Sequence, residues 1–242
     1  MKSKRAKSVP RGRGSQSRRE AWYRNPTIVG AVIGGLVIVV IVMIVAIVML
    51  NSRPNEATLG ETAFTYREIG GGYTEEGFPY LGQPDAPVTL TEFTDFDCSH
   101  CRDYKLESEE AILEEYVATG KVRYVLHYYS MPSPHSMQAA EAAICAGEQG
   151  QYFPYQRALF ENPAQTRDDF IVRAEALGLD VEAFAACWDA GRYHNLLLES
   201  IRSARAIGVS ATPTFDVNGR LVIGNRLDVL RQAIEEALNQ VD

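Results

Sequence analysis

Val88-Thr89-Leu90-Thr91-Glu92-Phe93 alternates apolar with polar side chains and is rich in β-branched residues, the pattern of a strand with two different faces. Thr94 to Asp97 then turns the chain. From Cys98 to about Thr119 the period changes to 3.6: Tyr104, Ala111, Ile112, Glu115 and Tyr116 recur at helical spacing, and Gly120 ends the run. Val122-Arg123-Tyr124-Val125-Leu126-His127-Tyr128 predicts a second strand. This β-α-β order implies two parallel strands joined by a right-handed crossover. A long helical stretch follows, from about Ser136 to Ile207, broken at Gly147, Gly150, Pro163, Gly178 and Gly191. Thr166 with Asp169 has the spacing of a capping box, and Asp180 is placed to cap the next helix. Thr214-Phe215-Asp216-Val217 and Arg220-Leu221-Val222-Ile223 flank Asn218-Gly219, a type I′ hairpin signal, and Leu227 to Leu238 closes with an amphipathic helix. The predicted class is α/β. A domain at 81–242 runs β-α-β, a helical insertion at about 133–207, then β-β-α. It begins near Gln83-Pro84-Asp85-Ala86-Pro87.

Upstream the pattern is of another kind. Thr27 to Leu50 is apolar without a single charge. As a helix this run would reach roughly 36 Å, enough to cross a hydrocarbon core of about 30 Å with some tilt. A soluble core helix is rarely apolar on every face for so long. Residues 27–50 therefore predict one N-terminal transmembrane helix, with Trp22 and Tyr23 at its interfacial flank. Charge orients it. Residues 1–26 carry nine lysines and arginines against one acid, Glu20, whereas the whole chain is −7. This basic, Ser- and Gly-rich tail without apolar periodicity reads as disordered and cytoplasmic, so the remainder is placed outside the cytoplasm. A cleaved signal peptide is the competing reading. Against it, the run exceeds the usual h-region and no Ala-x-Ala site follows Leu50. The tail's position before an apolar run argues for a topology signal and against nucleic-acid binding. Residues 51–80, with Pro54, Gly60 and Gly70-Gly71-Gly72, read as a tether between anchor and domain.

The candidate chemistry is Cys98-Ser99-His100-Cys101, at the predicted junction of strand and helix. A cysteine opening a helix faces unpaired N–H groups and the positive end of the macrodipole, which favour its thiolate. A second cysteine one turn on lies within disulfide reach. An activated thiol plus a resolving thiol is what exchange through a mixed disulfide requires. A partly protonated His100 would add positive charge beside Cys98 and make the disulfide a stronger oxidant. A zinc site would need two further ligands at matching spacing, and no second Cys-x-x-Cys or His-x-His exists, so no metal is expected. An inert structural disulfide is the other alternative.

Three stretches in order carry a resemblance: Gly82-Gln83-Pro84-Asp85-Ala86-Pro87-Val88, Glu92-Phe93-Thr94-Asp95-Phe96-Asp97-Cys98-Ser99-His100-Cys101, and Gly208-Val209-Ser210-Ala211-Thr212-Pro213-Thr214-Phe215. Together they resemble the DsbA-like branch of the thioredoxin superfamily. The resemblance implies a thioredoxin-like fold, a cis Pro213 packed against the disulfide, and Thr212 pairing with substrate backbone. It also implies that Glu92, six positions before Cys98, is a partly buried carboxylate below the disulfide able to shuttle the proton of Cys101; a strand residue facing solvent is the alternative. Ser99 replaces the proline common in the family's dipeptide, which bears on the potential. Some relatives pair cysteines at positions like Cys145 and Cys187, and an exported domain with four cysteines favours complete pairing. Two buried free cysteines are the alternative. The implied activity is a thiol–disulfide oxidoreductase that needs no cofactor, most plainly an oxidase of exported proteins bearing cysteine thiols. A membrane reoxidase of the DsbB or vitamin K epoxide reductase type would restore it. A reductase or isomerase and a non-enzymatic thioredoxin-like binding module are the rivals. Gly30 and Gly34 are the sole hint of the dimer an isomerase would want.

Overall fold

In the computed structural model, residues 35–44, 66–130, 133–164 and 166–241 are described. The chain divides into two units, Met1–Glu56 and Ala57–Asp242. In the first, residues 35–44 are helical, and every large apolar side chain from Leu36 to Ile44 is exposed. The rest of the predicted span 27–50, the tail 1–26 and residues 51–65 of the predicted tether lie outside the described residues. Among the described residues no helix is long and apolar enough to cross a membrane.

The second unit is built on a six-stranded sheet in the order β1-β2-β4-β3-β5-β6. Its strands are β1 (Gly71–Tyr73), β2 (Pro79–Leu81), β3 (Val88–Thr94), β4 (Val122–Tyr128), β5 (Thr214–Val217) and β6 (Arg220–Ile223). β3 and β4 are parallel, as the β-α-β pattern predicts, and β5 lies antiparallel on the other side of β3 with Glu92 opposite Phe215. β3 is thus central, and the site residues at its carboxyl end are flanked on both sides. Asn218 and Gly219 both take positive φ, 49° and 94°, as the β5–β6 turn requires.

The domain begins earlier than the sequence predicts. A helical turn at 66–69 and strands β1 and β2 occupy what reads as tether. These strands, Gly71-Gly72-Tyr73 and Pro79-Tyr80-Leu81, are three residues each, too short to show alternation. Gly82, which follows β2, has φ +92° and a Cβ there would meet the Val122 carbonyl at 2.7 Å, so close packing against β4 requires a bare backbone.

Ser99–Asp103, Tyr104–Ser108, Glu109–Ile112 and Leu113–Val117 follow one another as a single helical run, α1, whose second and fourth pieces are π-helical. The insertion holds α2 (Pro134–Gly147), α3 (Tyr152–Glu161), α4 (Arg167–Ala176), α5 (Val181–Asp189) and α6 (His194–Ala206), and α7 (Leu227–Leu238) closes the chain. Thr166 and Asp169 form a reciprocal capping box on α4, and the Asp180 side chain accepts from the Ala183 N–H to cap α5. A disulfide joins Cys145 of α2 to Cys187 of α5, Cα–Cα 5.8 Å, so the insertion's helices are cross-linked inside the core.

Candidate functional site

Cys98 is the N-cap of α1, in extended conformation (φ −87°, ψ 119°), and its carbonyl accepts from Arg102 N–H at 3.1 Å. This leaves the first amides of α1 facing its sulfur. Cys98 is partly exposed, Cys101 is fully buried, and both are free thiols. The asymmetry sets their chemistry apart. The Cys98 thiol is pulled down to about 5, first by its hydrogen bond with Cys101, then by Thr212 and by the backbone N–H groups of Cys101 and His100, all against the cost of partial burial. Cys101 moves the other way: burial pushes its thiol well above the ordinary value, helped by the Cys98 bond and the charge of Glu92. One sulfur is a partly exposed thiolate and the other a buried thiol.

The backbone N–H of His100 is among the groups that lower the Cys98 thiol. Its ring is 74% exposed and its Nδ1 lies 3.9 Å from Asp103. Pro213 follows a cis peptide bond, and the carbonyl of Thr212 accepts from Cys98 Sγ at 3.3 Å. Two stretches 114 residues apart therefore meet at one sulfur.

Glu92 is completely buried under the pair, where its charge acts on Cys101. Burial raises its carboxyl above the usual range, opposed by Lys105. Sequence reasoning stops at Glu92 and misses what surrounds it. Tyr124 donates to Glu92 Oε2, Lys105 Nζ lies 3.7 Å from that oxygen and bonds Glu109 Oε1, and the Tyr66 hydroxyl donates to Glu109 Oε2 at 2.6 Å. Lys105, Glu109 and Tyr124 are all at 0% exposure. A lysine and a glutamate four apart read as a solvated helix pair. The available signal is that Cys101, Lys105 and Glu109 step by four, so a buried Cys101 carries the others inward.

A second cluster holds the loop before Cys98. His135 Nδ1 lies 2.5 Å from Asp97 Oδ1 and its Nε2 2.5 Å from the Ala164 carbonyl. Ser133 donates to Asp97 and Ser136 to Asp95, while the Phe96 N–H donates to Ser136 Oγ at 3.2 Å. Both His135 partners are acceptors, and the Ala164 carbonyl, then Asp97, hold its pKa above the ordinary value. Nothing in the sequence around Pro134-His135-Ser136 announces this. Among the described residues no cluster of His, Cys, Asp or Glu could hold a metal ion.

Fold and site define a thioredoxin-type dithiol centre: a helix-opening cysteine, a buried resolving cysteine, and a cis-proline loop across from them. A thioredoxin family model matches residues 74–236. The chain belongs to that family. It is similar to the oxidised BdbD of Bacillus subtilis (TM-score 0.62, 21% identity, covering 71% of this chain and 98% of that one). It is also similar to DsbA of Chlamydia trachomatis (TM-score 0.62, 23% identity, 69% and 94% covered). Among curated proteins it is 25% identical over 170 residues to the probable disulfide bond formation protein D of Bacillus anthracis, covering 66% of this chain and 78% of that protein. It is 34% identical over 142 residues to the Na(+)/H(+) antiporter NhaA 3 of Salinispora tropica, covering 57% of this chain. The chain spans 21% of the length of that antiporter, and similar fractions of others of its kind.

Proposed function

We propose that this chain is an extracytoplasmic disulfide oxidase that donates the Cys98–Cys101 disulfide to exported proteins. The observation that supports it best is the opposed environment of the two sulfurs, with the Cys98 thiol pulled down to about 5 and so ionised at neutral pH, while burial keeps Cys101 protonated. A substrate thiolate attacks Cys98 Sγ. The Cys98–Cys101 bond breaks, and Cys101 leaves as a thiolate that takes a proton from Glu92, the buried carboxyl whose charge acts on it. A second substrate thiolate then attacks the substrate sulfur of the mixed disulfide, and Cys98 departs as a stabilised thiolate. Two electrons pass from substrate to enzyme, and a stable leaving thiolate favours that direction. Thr212 and Pro213 form the wall on which substrate backbone docks.

The apolar run 27–50 anchors the domain with residues 1–26 in the cytoplasm, and a membrane reoxidase of the DsbB or vitamin K epoxide reductase type removes the two electrons. The deciding measurement is the reduction potential of the Cys98–Cys101 couple. We expect a value well above the roughly −270 mV of thioredoxin. A value at or below that figure, with insulin reduction faster than oxidation of reduced ribonuclease, turns the reading to a reductase. If Cys98→Ala leaves the cellular role intact, the site is a binding module instead.

A further inference from the structure

Glu92, Glu109 and Lys105 are two carboxylates and one ammonium, all at 0% exposure. Burial raises the Glu92 carboxyl above the usual range, with Lys105 opposing, so Glu92 is the acid of the set placed to carry a proton. The carriers are in place. The Tyr124 hydroxyl donates to Glu92 and lies 3.3 Å from Glu109 Oε1, so it can turn between the two acids. Tyr66 donates to the other oxygen of Glu109 at 2.6 Å. Tyr66, only 5% exposed, is also a wall of a cleft of about 210 Å³ shared with Tyr73, Tyr80 and Tyr152. None of Cys98, Cys101, Thr212 or Pro213 lines that cleft.

We propose that Tyr124, Glu109 and Tyr66 form a proton route that links Glu92, and through it the resolving Cys101, to solvent at this cleft, away from the groove where substrate docks. When a substrate fills the groove, water cannot reach Cys101 from that side. Glu92 gives a proton to the leaving Cys101 thiolate, Tyr124 passes one on from Glu109, and Tyr66 refills Glu109 from the cleft. On reoxidation the proton leaves Cys101 by the reverse path. No net charge accumulates, because each hydroxyl receives one proton as it gives one up. The other groups that face this path are Tyr104 and Tyr152, each within the field of both acids, and the Arg157 guanidinium, which is hydrogen-bonded to Tyr66, lies in the field of Glu109 and donates from Nη1 to the Lys105 carbonyl at 3.0 Å. Tyr66 comes from the turn that precedes β1, so the segment joining the domain to the upstream chain completes the site.

The inference rests on the exchange reading, and the test separates the two. Reduced full-length protein is mixed with glutathione disulfide, and two steps are followed across pH. Formation of the mixed disulfide at Cys98 reports the exchange chemistry; its resolution by Cys101 reports the proton route. We expect Tyr66→Phe to leave the first step and the Cys98 titration unchanged. It should slow the second about tenfold or more, the scale of a lost general acid–base partner, with a displaced pH–rate profile. Glu109→Gln should do the same. If that variant fails to fold, Tyr66→Phe alone decides, since it removes one hydroxyl. Tyr66→Ala should regain the lost rate as imidazole is added, whereas Glu92→Gln should not. A wild-type resolution rate and pH profile in Tyr66→Phe overturns the route. Failure of the wild-type protein to form the mixed disulfide overturns the exchange reading instead.

Discussion

At the scale of single residues the two sulfurs give the sharpest expectation. The folded Cys98 thiol titrates near 5, below its ordinary value of 9.0. A depressed acid stabilises the folded, reduced protein fully above the ordinary value, and that gain is lost as pH falls through the folded one. The oxidised protein has no such group. The reduced form should therefore be the more stable in denaturant at neutral pH, with the gap closing as pH falls towards 5. A gap that does not move with pH over this window would refute the assignment of Cys98 as the thiolate. His127 supplies an independent case. Burial, with Phe78 stacked on its ring at 3.7 Å, pulls it down to about 4 from 6.5. Between those values the unfolded chain binds the proton and the folded chain does not. Stability should fall by on the order of 3 kcal/mol from pH 6.5 to pH 4, and His127→Phe should lack that component in urea melts. Cys98, Cys101 and Pro213 were legible because their chemistry is tied to spacing and to motif. Lys105, Glu109 and Tyr66 were not, because a charged or phenolic residue carries no mark in one sequence of whether it faces water or the core.

At the scale of elements, legibility followed length and periodicity. β3, β4, the β5–β6 hairpin and α7 stand where the pattern predicts them, and the capping residues Thr166 and Asp180 occupy the helix starts assigned to them. β1 and β2 escaped, since three residues cannot display a period and their neighbours read as a flexible chain. The π-helical turns of α1 escaped too, since nothing in the residues of Tyr104–Ser108, three of them buried, marks a widened turn in advance. The insertion depends on a long-range link that only its partners reveal. The Cys145–Cys187 bond closes a separation of 42 residues. Replacing both cysteines with alanine should cost about 4 kcal/mol in the chain-entropy account, read as a lower denaturation midpoint. Exchange at Cys98 in the folded variant should persist, because neither residue touches the dithiol. Thr166→Ala should cost about 1 kcal/mol by loss of the reciprocal cap, without altering exchange.

At the scale of the whole molecule, the proposed anchor makes the strongest demand. Leu36 to Ile44 form a helix whose large apolar side chains are between 46% and 63% exposed, an uncovered apolar run that needs a partner. Lipid is the cover that suits a run flanked on one side by nine basic residues and on the other by an acidic remainder. Residues 57–242 form a unit by themselves. The full chain should therefore float with phospholipid vesicles and resist alkaline carbonate extraction. A chain starting at residue 57 should remain in the soluble fraction and exchange disulfides with model thiols at the same rate. Tyr66 stays inside that shorter chain, so its proton route is retained and the comparison isolates the anchor. Topology gives the stricter test. Protease added to sealed cells stripped of their outer layers should digest the domain and spare residues 1–26. If the tail is cut while the dithiol is protected, the domain faces the cytoplasm. There a reducing glutathione pool would hold Cys98 and Cys101 as thiols, and the proposed task of making disulfides would fail with the topology.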